Sequence, residues 1–308
     1  MSDPIIAAII VLYQPRLDQL NRLLKSVISQ IAQAFVVDNT PSPSGQAAAL
    51  IAGFGACIAY TPLMNNMGIA AAQNVGIQLA LHIGASHIVF FDQDSVASPG
   101  MLQALLSAET TLRNQGMPVA AVGPTFIDEK TGKVSSAVRY SYFGLRTIAI
   151  DPGVPAPVEA DFLISSGCLI RASALRIVGT MREDLFIDWV DNEWGLRARS
   201  MGLRCYVVPE ARMGHSIGDG AVSLLWRQIH LHTDARNYYL LRNAIYLMRM
   251  KSMGLQWKLC FMPRLPCYLV LYPLLSKHKW VNIRLVLKAI LDGVHGHLGP
   301  LQLVDGRE

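Results

Sequence analysis

What this 308-residue chain lacks narrows its class before any motif is read. Its five cysteines, Cys57, Cys168, Cys205, Cys260 and Cys267, are an odd number with no Cys-x-x-Cys pair. A disulfide framework and a zinc knuckle are therefore excluded, and reduced, mostly buried thiols are expected. Met1-Ser2-Asp3-Pro4 carries no basic stretch ahead of the apolar run from Ile5 to Leu12, so that run reads as a first strand and not a signal peptide, and a cytosolic protein is expected. The very apolar segment from Cys260 to Ser276 is broken by Pro263, Arg264, Pro266 and Pro273 and falls short of the ~20 residues that cross a bilayer. It is expected to lie on a membrane or pack against the body of the protein. Internal repeats, low-complexity tracts and nucleic-acid-binding motifs are also missing, so no nucleic-acid partner is expected.

Charge is present but unevenly spread. Residues 1–222 hold 15 Lys and Arg against 18 Asp and Glu, whereas residues 223–308 hold 12 against 4. The basic C-terminal part is also rich in Leu, Tyr, Trp and Met, a combination suited to an anionic membrane surface or a phosphate-bearing lipid.

Apolar strand-like runs alternate with helix-like stretches from the start: Ile5–Leu12, a helix over Leu17–Ile31, Phe35–Asp38, Cys57–Thr61, a helix over about Ile69–Ile83, and His87–Asp92. Such alternation predicts an α/β fold with a mostly parallel central sheet flanked by helices. Ligands of such sheets sit at the C-terminal strand ends, which here read Tyr13-Gln14-Pro15, Asp38-Asn39-Thr40, Asn65-Asn66-Met67-Gly68 and Asp92-Gln93-Asp94. Later come a strand near Val119–Val122, a turn-prone loop around Asp151–Pro157 that could cross the site, Phe162–Cys168, a helix from about Ala172, and a short strand at Tyr206–Val208. A helical stretch from about Leu224 to Met250 carries Arg227, Arg236, Arg242 and Arg249 as a solvated basic face. The organisation expected is a catalytic domain over residues 1–222 in two halves, one to about 95 and one over 96–222. A basic, apolar helical region over 223–308 follows.

Two acids one residue apart at the end of a buried strand, Asp92 and Asp94, repel each other unless a hard cation such as Mg2+ or Mn2+ neutralises them. A helix-capping role from Ser98-Pro99-Gly100 onward is the plain alternative. A second acidic group falls within LFIDWVDNEWGLRAR: Asp188, Asp191 and Glu193, with Trp189 and Trp194 able to offer a sugar-stacking platform. Its plain alternative is a helix start favoured by the macrodipole.

In order along the chain, Val37-Asp38-Asn39-Thr40, Asn66-x-Gly68 to Asn74-x-Gly76, Asp92-Gln93-Asp94-Ser95, FLISSGC (162–168) and LFID (185–188) through LRA (196–198) resemble the inverting glycosyltransferases of family 2. These have the GT-A fold, and the bacterial rhamnosyltransferases among them are most similar. Arg236-Asn237-Tyr238-Tyr239 and Arg242-Asn243 extend the likeness. The resemblance implies that Asp38 accepts a hydrogen bond from a pyrimidine, with Leu12 and Tyr13 beside the base. It implies that Asn66 and Gly68 border the nucleotide and diphosphate, with Gln93 in the same set. Asp92, Asp94 and His215 would hold Mg2+ or Mn2+. Ser166 and Gly167 would line the donor sugar or acceptor, and Asp191 would be the catalytic base. Asp188 and Glu193, near Trp189, would orient the acceptor or a neighbouring arginine, and Arg236 and Arg242 would meet an anionic acceptor head group.

The donor so implied is dTDP-L-rhamnose and the acceptor a lipid-linked glycan or glycolipid of surface polysaccharide (O-antigen) assembly. The protein would then work peripherally on the inner face of the cytoplasmic membrane. A UDP-sugar donor, galactofuranosyl or hexosyl, is the nearest alternative. A non-catalytic nucleotide-sugar-binding assembly subunit is the alternative of another class.

Overall fold

The computed structural model describes residues 4–128, 134–151, 153–215, 221–224, 227–230, 234–266, 268–269 and 278–302. The opening alternation forms as expected: β1 (Ile6–Leu12), α1 (Leu17–Val27), β2 (Gln33–Asp38), α2 (Gly45–Ala52), β3 (Ile58–Pro62), α3 (Ile69–His82) and β4 (His87–Asp92). These four strands are parallel and lie side by side as β3-β2-β1-β4. Both faces are covered, which explains why the strands are near-continuously apolar. Ile9, Ile88 and Phe90 enter the core shared with α3, while Ile10, Val89 and Phe91 enter the core shared with α1. Register pairs Leu12 with Asp38 and Val11 with Asp92, so the polar strand ends reach one common rim.

The second half continues with β5 (Val96–Ala97), α4 (Met101–Asn114), β6 (Val119–Asp128), β7 (Ser136–Ser141), β8 (Gly144–Ala149), β9 (Val158–Ala160), β10 (Leu169–Arg171), α5 (Ala172–Val178), α6 (Val190–Ser200) and β11 (Arg204–His215). Here the sheet becomes mixed, running β4-β10-β6-β11-β5 with β10 antiparallel to both neighbours and β6 parallel to β11. The short β10 lets the chain cross the sheet where the loop over 162–168 brings Ser165 and Ser166 to the rim. Among the described residues of 151–157, none lines the cleft described below.

The C-terminal part departs from the expectation of one helix from Leu224. A hairpin of β12 (Ala221–Leu224) and β13 (Arg227–His230), with Val222 opposite Ile229, precedes α7 (Asp234–Leu247). A run of four arginines among apolar residues concealed the boundary: Arg227 lies in β13, Arg249 beyond the end of α7, and only Arg236 and Arg242 within it. Then follow α8 (Gly254–Phe261) and α9 (Lys279–His295). Helix α9 packs on α7 so closely that a Cβ on Gly293 would stand 2.7 Å from the Arg242 carbonyl oxygen. Among the described residues no helix is long and apolar enough to cross a membrane.

Cys57, Cys168, Cys205 and Cys260 are unpaired, the last three buried; Cys267 lies outside the described residues. Burial pushes the Cys205 thiol up to about 12, and that of Cys168 well above its ordinary value.

Candidate active site

Neighbouring strand ends are tied together by side chains of the segments that follow them. The Tyr13 amide donates to Gln93 Oε1 at 2.9 Å and its carbonyl accepts from Gln93 Nε2 at 3.2 Å, joining β1 to β4. The Gln14 amide donates to Thr40 Oγ1 at 2.9 Å, joining β1 to β2. Asn39 donates to Asn66 Oδ1 at 2.9 Å and accepts from the Met67 amide at 2.8 Å, joining β2 to the turn after β3. A hydrogen-bonded shelf results, and it holds turns that backbone preference alone would leave loose.

The expected nucleotide set occupies this shelf unevenly. Tyr13 is 44% exposed, whereas Leu12 is wholly buried in the core. Asp38 is also wholly buried, its Oδ1 accepting from the Thr40 amide at 3.0 Å and its Oδ2 from the Tyr60 hydroxyl at 2.8 Å. In this conformation Asp38 pegs the loop from beneath instead of presenting an oxygen to open space. Gly68, at φ +85, is required by a close approach: a Cβ there would lie 2.5 Å from the Phe186 carbonyl oxygen. That same carbonyl accepts from the Ile69 amide at 2.8 Å and pins the start of α3 to the segment leading into α6.

Beside the shelf opens a cleft of ≈ 470 Å3 whose walls include Gln73, Asp92, Ser165, Asp188, Asp191 and Arg236. Asp92 and Asp191, about a hundred residues apart in sequence, thus line one cleft. Burial, then the charges of Asp191 and Asp94, push the Asp92 carboxyl up to about 7, against the opposing pull of Arg236. The Asp191 carboxyl is also raised: atoms crowd it although part of its residue stays open to the cleft, and Asp188 adds like charge, while two hydrogen bonds from Ser165 work the other way. Asp188 itself, at φ +62, is gripped by Arg236 with Nη2 to Oδ1 at 3.0 Å. Trp189 lines the cleft too, its Nε1 donating to the Leu240 carbonyl at 2.9 Å and its ring edge-on to Trp257 and Phe261.

Several expected contacts are corrected by burial. Ser166 is wholly buried, its hydroxyl 2.6 Å from that of Ser95 and accepting from the Asp92 amide at 3.1 Å, so it braces the Asp92–Ser95 turn and does not line a sugar. Gly167, at φ +77, leaves no room for a sugar, since a Cβ would meet the Pro124 ring at 2.5 Å. Glu193 is wholly buried and paired with Arg197 at 2.9 Å one helical turn on, so of its two expected roles it takes the neighbouring arginine and not the acceptor. Trp194 is buried with its Nε1 on the Gly179 carbonyl, which removes it from any stacking platform.

Arg242 is also wholly buried: it donates to the Leu185 carbonyl at 3.0 Å and stands 4.9 Å from the Tyr239 ring centroid. It cannot reach an acceptor head group, and the helix face expected to be solvated is here interior. Ser165 and Gln73 were missed by the sequence reading. The usable signals were the doubled serine of FLISSGC and a glutamine on an otherwise apolar face of α3.

A hard divalent cation fits this donor set. Asp92 and Asp94 are hard carboxylate donors one residue apart at one rim, and Asp92, whose carboxyl burial raises first of all, also feels the like charges of Asp191 and Asp94. Strand β11 pairs Gly214 with Val96, two residues past Asp94, which brings the His215 backbone to the same rim. The His215 side chain lies outside the described residues, and among the described residues no three such ligands converge.

Residues 19–236 match the family described as "Glycosyltransferase like family 2". A "dTDP-rhamnosyl transferase RfbF" of Shigella flexneri is 33% identical over 297 residues, 96% of this chain and 97% of that protein. Among solved structures, S. aureus TarS 1-349 aligns over 94% of this chain and 81% of its own at TM-score 0.57 and 12% identity. GalNAc-T7 with UDP, GalNAc and Mn2+ aligns over 89% of this chain and 58% of its own at TM-score 0.58 and 14% identity. At those identities the two structures speak to the fold, which is the GT-A α/β fold.

Proposed function

The chain belongs to glycosyltransferase family 2, and we propose that it moves L-rhamnose from dTDP-L-rhamnose to a hydroxyl of a lipid-linked glycan at an anionic membrane surface, inverting the anomeric centre. The observation that carries the reading is Asp92 and Asp191 lining one cleft, beside the strand-end shelf where ligands of such sheets bind. The choice of donor leans on the relative that is similar over nearly the whole of both chains.

In this reading Tyr13, Asn66 and Gln93 border the nucleotide, and the diphosphate extends toward Asp92 and Asp94. Mg2+ or Mn2+ held by Asp92, Asp94 and His215 would, when bound, supply Lewis-acid neutralisation of the diphosphate charge. Asp191 accepts the acceptor hydroxyl's proton as that oxygen forms its bond to the anomeric carbon. The bond from that carbon to the phosphate oxygen breaks, and dTDP departs with the electron pair. Attack opposite the leaving group inverts the centre in a single displacement. The raised affinity of Asp191 for a proton suits a base, and such a base contributes on the order of 10²- to 10⁴-fold in rate. Arg236 bridges between Asp188 and the cleft and faces the anionic substrate.

A panel of nucleotide sugars tested by thermal stabilisation and hydrolysis decides the donor. The largest response is expected from dTDP-L-rhamnose; a larger response to a UDP-hexose or UDP-galactofuranose would replace it.

A further inference from the structure

Helix α9 has two apolar faces where a surface helix needs one. Its inner face, Leu285, Val286 and Ala289, is buried against Tyr238, Tyr239 and Leu241 of α7. Its outer face repeats apolar residues at helical spacing: Trp280, Ile283, Leu287, Leu291 and Val294 are all exposed, Trp280 at 79%, Leu287 at 56% and Leu291 at 58%. At 1.5 Å per residue this stripe runs about 21 Å along the surface. At 100° per residue it fills an arc of about 80° centred opposite the buried face. Arg284 and Lys288, the latter also 3.0 Å from Asp292, border one side of that arc and Lys279 the other.

We propose that the outer face of α9 docks on an anionic lipid surface, with the stripe at the headgroup boundary and the flanking cations on lipid phosphates. This rests on the membrane reading above and names the element that performs it. Charge selects the occupant: the part of the chain carrying α9 holds 12 Lys and Arg against 4 Asp and Glu, so a second copy brought to the same face would meet like charge. An anionic bilayer complements both the stripe and its edges. Helix α7 supports α9 on one side and contributes Arg236 and Leu240 to the cleft, so docking ties the active site to the surface where a lipid-linked acceptor resides.

The test is flotation of the full chain with vesicles of phosphatidylglycerol and phosphatidylcholine, or of phosphatidylcholine alone. Wild type is compared with Leu287→Ser/Leu291→Ser and with Lys279→Glu/Arg284→Glu, the fold being checked by thermal melting and nucleotide binding. Wild type is expected to float with the anionic vesicles, the leucine variant to lose at least tenfold in partition, and the charge variant to lose binding as added salt makes wild type do. Equal flotation of wild type and the leucine variant would remove α9 while leaving membrane contact intact. No flotation of a wild type that binds nucleotide would defeat the membrane reading itself. A wild type that sediments as a dimer, with the leucine variant a monomer, would give the face to a second copy instead.

Discussion

Ser165 engages both carboxylate oxygens of Asp191: its amide donates to Oδ2 at 3.0 Å and its hydroxyl to Oδ1. Because the one hydroxyl hydrogen is spent on Asp191, the Gln73 amide nitrogen must donate to Ser165 Oγ, which it does at 3.1 Å. The carboxylate at the start of α6 is thereby fixed from the 162–168 loop and, at one remove, from α3.

Replacing Ser165 with Ala removes the donor on Oδ1 while leaving the backbone donor. Turnover is expected to fall about tenfold or more with folding intact, in line with the ~1.5–3 kcal/mol of one hydrogen bond to a charged group. The same loss raises the proton affinity of Asp191, since these bonds favour the charged form. The acid limb of the pH–rate profile should therefore move to higher pH, and an unmoved limb would separate Ser165 from the base.

The Asp92 carboxyl makes cation binding pH-dependent. Its folded value of about 7 lies above the ordinary 3.8, so the metal-free protein is most stable with Asp92 protonated and loses that stability as pH rises through about 7. Added Mn2+ or Mg2+ should thus raise the melting temperature more at pH 8 than at pH 6. Asp92→Asn should flatten the difference, and a cation effect independent of pH would take Asp92 out of the site.

The two arginines of α7 should behave oppositely. Arg242→Ala empties a buried position that holds the Leu185 carbonyl and stacks against Tyr239, and is expected to cost about 3 kcal/mol or more in denaturant unfolding. Arg236→Ala, at an exposed position on the cleft, should leave stability within about 1 kcal/mol while raising KM. A raised KM without lost stability in Arg242→Ala would restore the acceptor-facing role expected for it.

How far the sequence reached depends on what each residue's chemistry reveals locally. The parallel half was legible because residues such as Ile9 and Ile10 are apolar on both strand faces and each run stops at a polar turn. Asp92 was singled out because two acids one residue apart at the end of an apolar strand repel each other, and Asp191 because it holds the family's base position; the structure places both on one cleft. Arg242 was misread because a charged residue on a helix looks solvated until its partners, Asn243 and two carbonyls, are seen to be buried with it, whereas the arginine partner of Glu193, Arg197, stands one turn along the same helix. Ser166 and Gly167 lay within a motif whose neighbour, Ser165, makes the contact. A one-residue choice of that kind is set by loop geometry, not by composition.

At the opposite end of the sheet, Glu109 supplies an acid-stability test. Burial opposes its charge, but hydrogen bonds from Arg171, 2.8 Å to each oxygen, hold the carboxyl down to about 2, with His87 Nε2 standing 3.8 Å off. The stability so gained is present above about pH 4.5 and lost as pH falls toward 2. Glu109→Gln should reduce stability at pH 7 and flatten its decline over that window, as read by urea midpoints; a parallel decline in both proteins would assign acid sensitivity elsewhere.

The most direct test of the account is the behaviour of Asp191→Asn toward donor and toward transfer, measured on the same preparation. Calorimetry with dTDP-L-rhamnose should give a Kd within about threefold of wild type, while single-turnover transfer to a lipid-linked acceptor falls by at least ~100-fold. Transfer at the wild-type rate would contradict the assignment and move the proton acceptor to another group of the cleft.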